Sequence, residues 1–203
     1  MDELIKAISF EETIKGSKFL SELLPCKTQA EARDLLKQQK EKYSDSTHVV
    51  HAFITGNGAE VMGMSDDGEP SGTAGRPALD VLKGRGCTNV ILTITRWFGG
   101  TLLGTGGLVK AYSNGAKQVI LAADENKLFV PLIEKKDFSF STDYSLLKVI
   151  KRNLENYEIF DLNEAYGTEV TISGKIRSDQ FNKLADFIRE ISRSKITVSS
   201  TKS

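Results

Sequence analysis

Cysteine is scarce: Cys26 and Cys87 are the only two in 203 residues, far apart and in no CxxC pair. That removes a disulfide framework and a thiolate zinc site, and leaves both as buried apolar fillers. A surplus of either charge is also missing. The 27 basic and 27 acidic side chains cancel, and the pI is near 6.8. The general electrostatic route to nucleic acid, which relies on excess Lys and Arg, is therefore closed, so phosphate recognition has to be local. Apolar runs stop well short of the roughly 20 residues that cross a bilayer. The start, Met1-Asp2-Glu3-Leu4, is acidic where a secretory signal is basic, so a cytoplasmic address without membrane association is expected.

What is present points to a globular α+β chain with 39% hydrophobic residues. Apart from Gly167 and Gly174, all 17 glycines lie between Gly16 and Gly115. The last seventy or so residues instead read as regular elements. Two domains follow, 1–132 and 133–203, and neither is basic, with 15 cations against 16 anions in the first and 12 against 11 in the second.

The first domain opens on two strands joined at Lys15-Gly16-Ser17. Thr28-Gln29-Ala30-Glu31 has the pattern of a capping box and predicts a helix to about Lys42, with Ala32, Leu35 and Leu36 inward. Strands over 48–54 and 59–64 flank Gly56-Asn57-Gly58, a hairpin signal. A polar loop, Ser65 to Gly75, precedes a helix with Pro77 in its first turn. Asn89 to Thr95 is apolar on both faces, as an interior strand should be. A glycine-rich stretch, Arg96 to Gly107, then leads into a helix with Leu108, Ala111, Tyr112, Ala116, Val119, Ile120 and Ala123 along one side. The second domain reads strand, helix (144–156), strand, strand, helix (178–192) and a last strand over Lys195–Ser199. This is the βαββαβ order of a ferredoxin-like domain.

Three groups of residues could carry chemistry. Strand, glycine loop and helix start form a recurrent anion site, facing Thr105, Gly106 and Gly107 here, with Arg96 and Lys110 nearby as cations. Glycines needed only for a tight packing corner would give the same pattern. Asp66, Asp67 and Glu69, beside Ser71 and Thr73, could hold magnesium or could cap the following helix. His48, Asp67 and Ser71 can be arranged as a hydrolytic triad by composition alone, without a nucleophile elbow around the serine. His48 and His51, three apart in a strand, point to opposite faces.

The run Asp66-Asp67-Gly68-Glu69-Pro70-Ser71-Gly72-Thr73-Ala74-Gly75-Arg76-Pro77, followed by Thr95-Arg96-Trp97-Phe98-Gly99-Gly100 and by Leu103-Gly104-Thr105-Gly106-Gly107-Leu108-Val109-Lys110-Ala111-Tyr112, closely resembles the signature of the IMPACT family in its bacterial form. The resemblance implies a ribosomal protein S5 domain 2-like first domain and a ferredoxin-like second domain similar to elongation factor G domain V. It also implies a protein that works around RNA or the ribosome. One departure is visible. Where the family usually has His-Asn-Cys and an aromatic, this chain has His48-Val49-Val50-His51. His48, Asp66, Asp67, Glu69, Arg96, Thr101, Lys110 and Tyr112 are the positions that the resemblance places in a shared cleft.

The expectation from these readings is a regulator of translation that binds RNA or a ribosomal component, with no cofactor and no covalent chemistry. An enzyme acting with magnesium on a phosphorylated or nucleotide-like molecule is the first alternative. A protein-binding module with an apolar patch at Trp97, Phe98 and Leu102 is the second. Oligomeric state is left open.

Overall fold

A computed structural model describes residues 1–200, which divide into two compact units, Met1–Leu132 and a second one that begins at Ile133. The first unit runs β1 (Asp2–Leu4), β2 (Ile8–Ile14), β3 (Ser17–Pro25), α1 (Gln29–Lys42), β4 (His48–Thr55), β5 (Val61–Ser65), α2 (Gly75–Arg85), β6 (Cys87–Thr88), β7 (Val90–Trp97), α3 (Gly104–Glu125) and β8 (Phe129–Pro131). Its main sheet is antiparallel throughout, in the order β2-β3-β7-β4-β5.

Two cores sandwich this sheet. Leu23, Val50, Ile54, Leu92 and Ile94 meet Ala78 and Leu82 of α2 and Leu108, Tyr112, Ala116 and Val119 of α3 on one face. On the other, Phe53, Ile91 and Cys26 meet Ala32 of α1, with Leu35 and Leu36 partly buried. The central strand β7 is buried from Val90 to Arg96, which explains why its sequence is apolar on both faces.

Local signals act as their chemistry requires. The Thr28 hydroxyl accepts from the Glu31 amide at 3.1 Å, and the Glu31 carboxylate accepts from the Lys27 amide at 2.7 Å, so the return bond lands one residue earlier than in a standard capping box. Positive φ in the β4–β5 turn falls on Gly56 and Ala59 rather than on Asn57. A small sheet, β6-β1-β8, had no signal in the sequence because its strands are two or three residues long.

The second unit runs β9 (Lys135–Thr142), α4 (Tyr144–Leu154), β10 (Ile159–Tyr166), β11 (Val170–Arg177), a short 3-10 turn (Ser178–Gln180) and α5 (Phe181–Ile191). The sheet order is β10-β11-β9, and Ser199 bridges to Ser139 on the free side of β9, giving the ferredoxin-like arrangement. The strand expected over Lys195–Ser199 shrinks to that one bridge. Ile196 and Val198 are held by packing against the core, and backbone pairing is left to Ser199. The chain is thus α+β, with helices on both faces of a five-stranded antiparallel sheet in the first unit and a ferredoxin-like second unit. No helix among the described residues is long and apolar enough to cross a membrane.

Candidate functional site

The polar centre of the first unit forms where β7, β4, α3 and the loop after β5 converge. Arg96 sits near the end of β7, in register with His48 at the start of β4. Glu69 comes from the β5–α2 loop, and Tyr112 lies in the third turn of α3. One Glu69 carboxylate oxygen accepts from Arg96 Nη1 and from the Tyr112 hydroxyl, both at 2.7 Å. Nε2 of His48 is 3.9 Å from the same oxygen. All but His48 are buried.

A charge pair so far from water depends on how well its polar atoms are satisfied, and here both terminal nitrogens of Arg96 are bonded while its Nε has no hydrogen-bond partner among the described residues. Arg96 Nη2 donates to Ser17 Oγ at 3.3 Å, and its guanidinium lies near the rings of Phe19 and Phe98. Burial first, and then the bond to the Glu69 carboxylate, push the Tyr112 phenol far above its ordinary pKa. The cluster is therefore neutral overall. This changes the part assigned to Arg96, because its charge is spent on Glu69 and is not presented to an incoming phosphate.

The acidic loop does not gather into one metal site. Asp66 turns back on its own chain and accepts from the amides of Gly72 at 2.8 Å, Ala74 at 3.0 Å and Gly75 at 2.8 Å, which caps the start of α2. Partial burial raises its pKa, but the three amides outweigh that effect and hold the carboxyl below its usual range. Asp67 accepts from the Val49 amide at 2.7 Å and pairs with Lys40. Among the described residues, no group of three or more His, Cys, Asp or Glu is placed to hold a metal ion. The magnesium arrangement drawn from Asp66, Asp67 and Glu69 is therefore corrected: each carboxylate has its own, separate protein partner. The triad fails on geometry too. His48 Nδ1 meets the main-chain oxygen of Asp67 at 2.8 Å and not its carboxylate.

The glycines of the 99–107 stretch divide by what surrounds them. A Cβ on Gly99 would lie 1.8 Å from the backbone of Gly16, so this glycine lets the β2–β3 turn press against the strand end. Gly106 is different. Nothing lies within 4 Å of where its Cβ would be, and its φ is not positive, so neither packing nor backbone conformation requires glycine there. The first turn of α3 has no side-chain cap and no acidic residue, which leaves its leading amides open.

These amides border a cleft of about 470 Å³ whose walls include His48, Glu69, Arg96, Phe98, Leu102 and Thr105. Of the residues singled out from the sequence, His48, Glu69, Arg96 and Thr105 line the cleft, and Tyr112 is buried beneath Glu69. Asp66, Asp67 and Thr73 are tied into the loop, where Thr73 Oγ1 donates to the Pro70 carbonyl at 2.6 Å. Ser71 and Thr101 are exposed and not part of its lining. Gly107 and Lys110 open on a different groove. Thr47 and Ser17 were not anticipated: Thr47 lines the cleft and accepts from the Phe98 amide at 3.0 Å, while Ser17 serves Arg96. A lone hydroxyl next to a turn carries no sequence signal for such a role.

The family model described as the Impact N-terminal domain matches residues 15–120. An IMPACT family member of Haemophilus influenzae is 34% identical over 81% of this chain and 79% of its own length. The IMPACT family member YigZ of Escherichia coli is 32% identical over 90% of each. Among solved structures, a crystal structure of a hypothetical protein matches with a TM-score of 0.71 and 26% identity, covering 99% of this chain and 97% of that one.

Proposed function

The chain belongs to the IMPACT family, and from that membership we propose that it is a regulator of translation that binds RNA or a ribosomal component through the cleft at the start of α3, without covalent chemistry. One observation carries the reading: the open amides of α3 share the cleft with an exposed aromatic ring. Phe98 is 46% exposed and Leu102 82% exposed, beside Thr105 and the uncapped helix start. A nucleotide presents a flat π-face and an anionic phosphate, and this pairing of ring and amides answers both.

Gly106 supports the same reading. An interior helix glycine costs about 1 kcal/mol relative to alanine. Nothing packs against this position, and although Gly106 is itself outside the lining of the cleft, its bare backbone next to Thr105 leaves room for a ligand to extend along the helix start. The neutral Glu69–Arg96–Tyr112 cluster braces the wall behind this site.

Anisotropy of labelled single-stranded RNA, together with ribosome co-sedimentation at low salt, tests the proposal. Binding is expected, and Phe98→Ala should weaken it about 5- to 150-fold, the range for losing one stacked base. The absence of both RNA and ribosome binding sinks it. The exposure of Phe98 and Leu102 equally suits a protein partner, although Trp97 is not part of that patch: it packs on Tyr43 and donates to Asp45 at 3.0 Å. A pull-down whose captured proteins persist after RNase treatment would favour that second reading.

A further inference from the structure

Across the first turn of α3 from the cleft lies a second open groove of about 640 Å³, between the β2–β3 turn and the outer side of the helix. Three cations line it: Lys15 from the turn, and Lys110 and Lys117 from α3. All three are exposed, and none has an ion-pair partner among the described residues. Lys18, Lys40 and Lys42 of the first unit face Glu11, Asp67 and Glu22, whereas Lys6, Lys27, Lys83 and Lys127 are unpaired like these three among the described residues; what sets Lys15, Lys110 and Lys117 apart is that they line one groove. Asn114, which lines the groove, donates to both carboxylate oxygens of Glu12, at 3.1 and 3.0 Å, so that carboxylate is engaged by an amide and not by one of these lysines. In a chain of zero net charge, three unpaired lysines around one groove form a local excess.

Leu103 belongs to both lining sets, so a single side chain separates the two sites. We propose that the groove is a second anion site that holds the phosphates of a single-stranded RNA whose base stacks in the cleft, the strand passing over Leu103. This rests on the RNA reading of the cleft and adds to it a path, a polarity of charge and a minimum length. The occupant follows from complementarity. A flexible polyanion can lay successive phosphates along Lys15, Lys110 and Lys117, whereas a rigid duplex offers no unstacked base to Phe98.

The test uses the full chain with fluorescein-labelled oligouridylates of two and eight nucleotides, and measures affinity against salt concentration. The octamer should bind at least about tenfold more tightly than the dimer, since only it reaches the groove. In the triple variant Lys15→Gln, Lys110→Gln, Lys117→Gln, that advantage should vanish. The slope of log affinity against log salt should also fall by about 2, at roughly 0.7 per single-strand phosphate contact for three contacts. These lysines are exposed, so loss of folding does not confuse the result, and far-ultraviolet circular dichroism checks it. If the triple variant keeps both the octamer advantage and the slope while Phe98→Ala weakens binding, the groove proposal falls and the cleft reading stands. If neither oligonucleotide binds, both fall. Equal competition by a polyglutamate of matched charge overturns the strand path, because the groove would then read acidity alone.

Discussion

Replacing Tyr112 by Phe removes one hydroxyl from the buried cluster and changes little else. The lost bond is 2.7 Å long and ends on a carboxylate that keeps its Arg96 partner. A hydrogen bond to a charged group contributes about 1.5–3 kcal/mol, so about 2 kcal/mol is expected near neutral pH. The alkaline limb separates this cause from mere packing. In the folded chain the phenol is pushed far up, whereas in the unfolded chain it titrates near pH 10. A raised pKa gives stability that is whole below the unfolded value and lost as pH climbs past it, since the unfolded chain releases the proton and the folded chain does not. Each pH unit above 10 costs the native protein about 1.4 kcal/mol at this residue. The gap between native protein and Tyr112→Phe should therefore shrink from about 2 kcal/mol at pH 7 to near zero by about pH 11.5. Urea titrations followed by the fluorescence of Trp97, the sole tryptophan, measure it, because the other four tyrosines and all lysines are common to both proteins. A gap that stays constant between pH 7 and pH 11.5 would refute the buried-phenol argument.

Gly106→Ala should raise stability by about 0.5–1 kcal/mol in thermal unfolding while weakening RNA binding; an unchanged affinity would show that the bare backbone at this position has no ligand-related purpose. Asp66→Ala strips acceptors from three amides at the start of α2 and should cost about 1–2 kcal/mol at neutral pH. Because the Asp66 carboxyl sits below its usual range, its contribution is present above the unfolded pKa near 4 and fades as pH falls, so the two proteins should converge in acid; parallel acid limbs would contradict the capping role. Burial, with a nearby Glu31 for Cys26, pushes both thiols up to about 11, so neither should react quickly in the native state. Cys26 should nevertheless label about tenfold or more faster than Cys87, since it lies under α1, where buried atoms of Glu22, Gln39, His51, Thr93 and Thr95 lack partners, whereas Cys87 belongs to the larger core. Equal rates, resolved by mass spectrometry, would mean that α1 opens only with global unfolding.

Much of the fold was readable because its signals are local. Thr28 and Glu31 mark the start of α1, and the two-faced apolar run at Val90–Thr95 marks the middle of the sheet. The alternation of strands and amphipathic helices marks the second unit. The β6-β1-β8 sheet was not readable, because a strand of two residues has no periodicity and is made by partners far apart in sequence. The site divided in the same way. The family resemblance brought Glu69, Arg96 and Tyr112 onto one list, but only the third dimension showed that Glu69 and Arg96 pair and that Tyr112 donates to the same carboxylate. Similarly, Asp66-Asp67-Gly68-Glu69 reads as one acidic cluster along the chain, yet Asp66 faces the amides of α2, Asp67 faces α1, and Glu69 faces β7 and α3.

The pairing of Arg96 with Glu69 also sets how this protein can hold an anion. With that guanidinium spent and Tyr112 neutral, the positive potential in the cleft comes from backbone amides and the helix dipole, about half an elementary charge. An exposed helix end attracts an anion by about 0.3–1 kcal/mol, well short of what sub-micromolar binding needs. The stacking surface of Phe98 and Leu102 must then supply most of the affinity in the cleft. Salt dependence must come from beyond Leu103, where Lys15, Lys110 and Lys117 stand unpaired. Affinity and salt sensitivity should consequently separate by mutation: changes at Phe98 move the first at constant slope, and changes at the lysines move the second. A ligand held by one set alone would show no such separation, which makes the pair of measurements more telling than either affinity by itself.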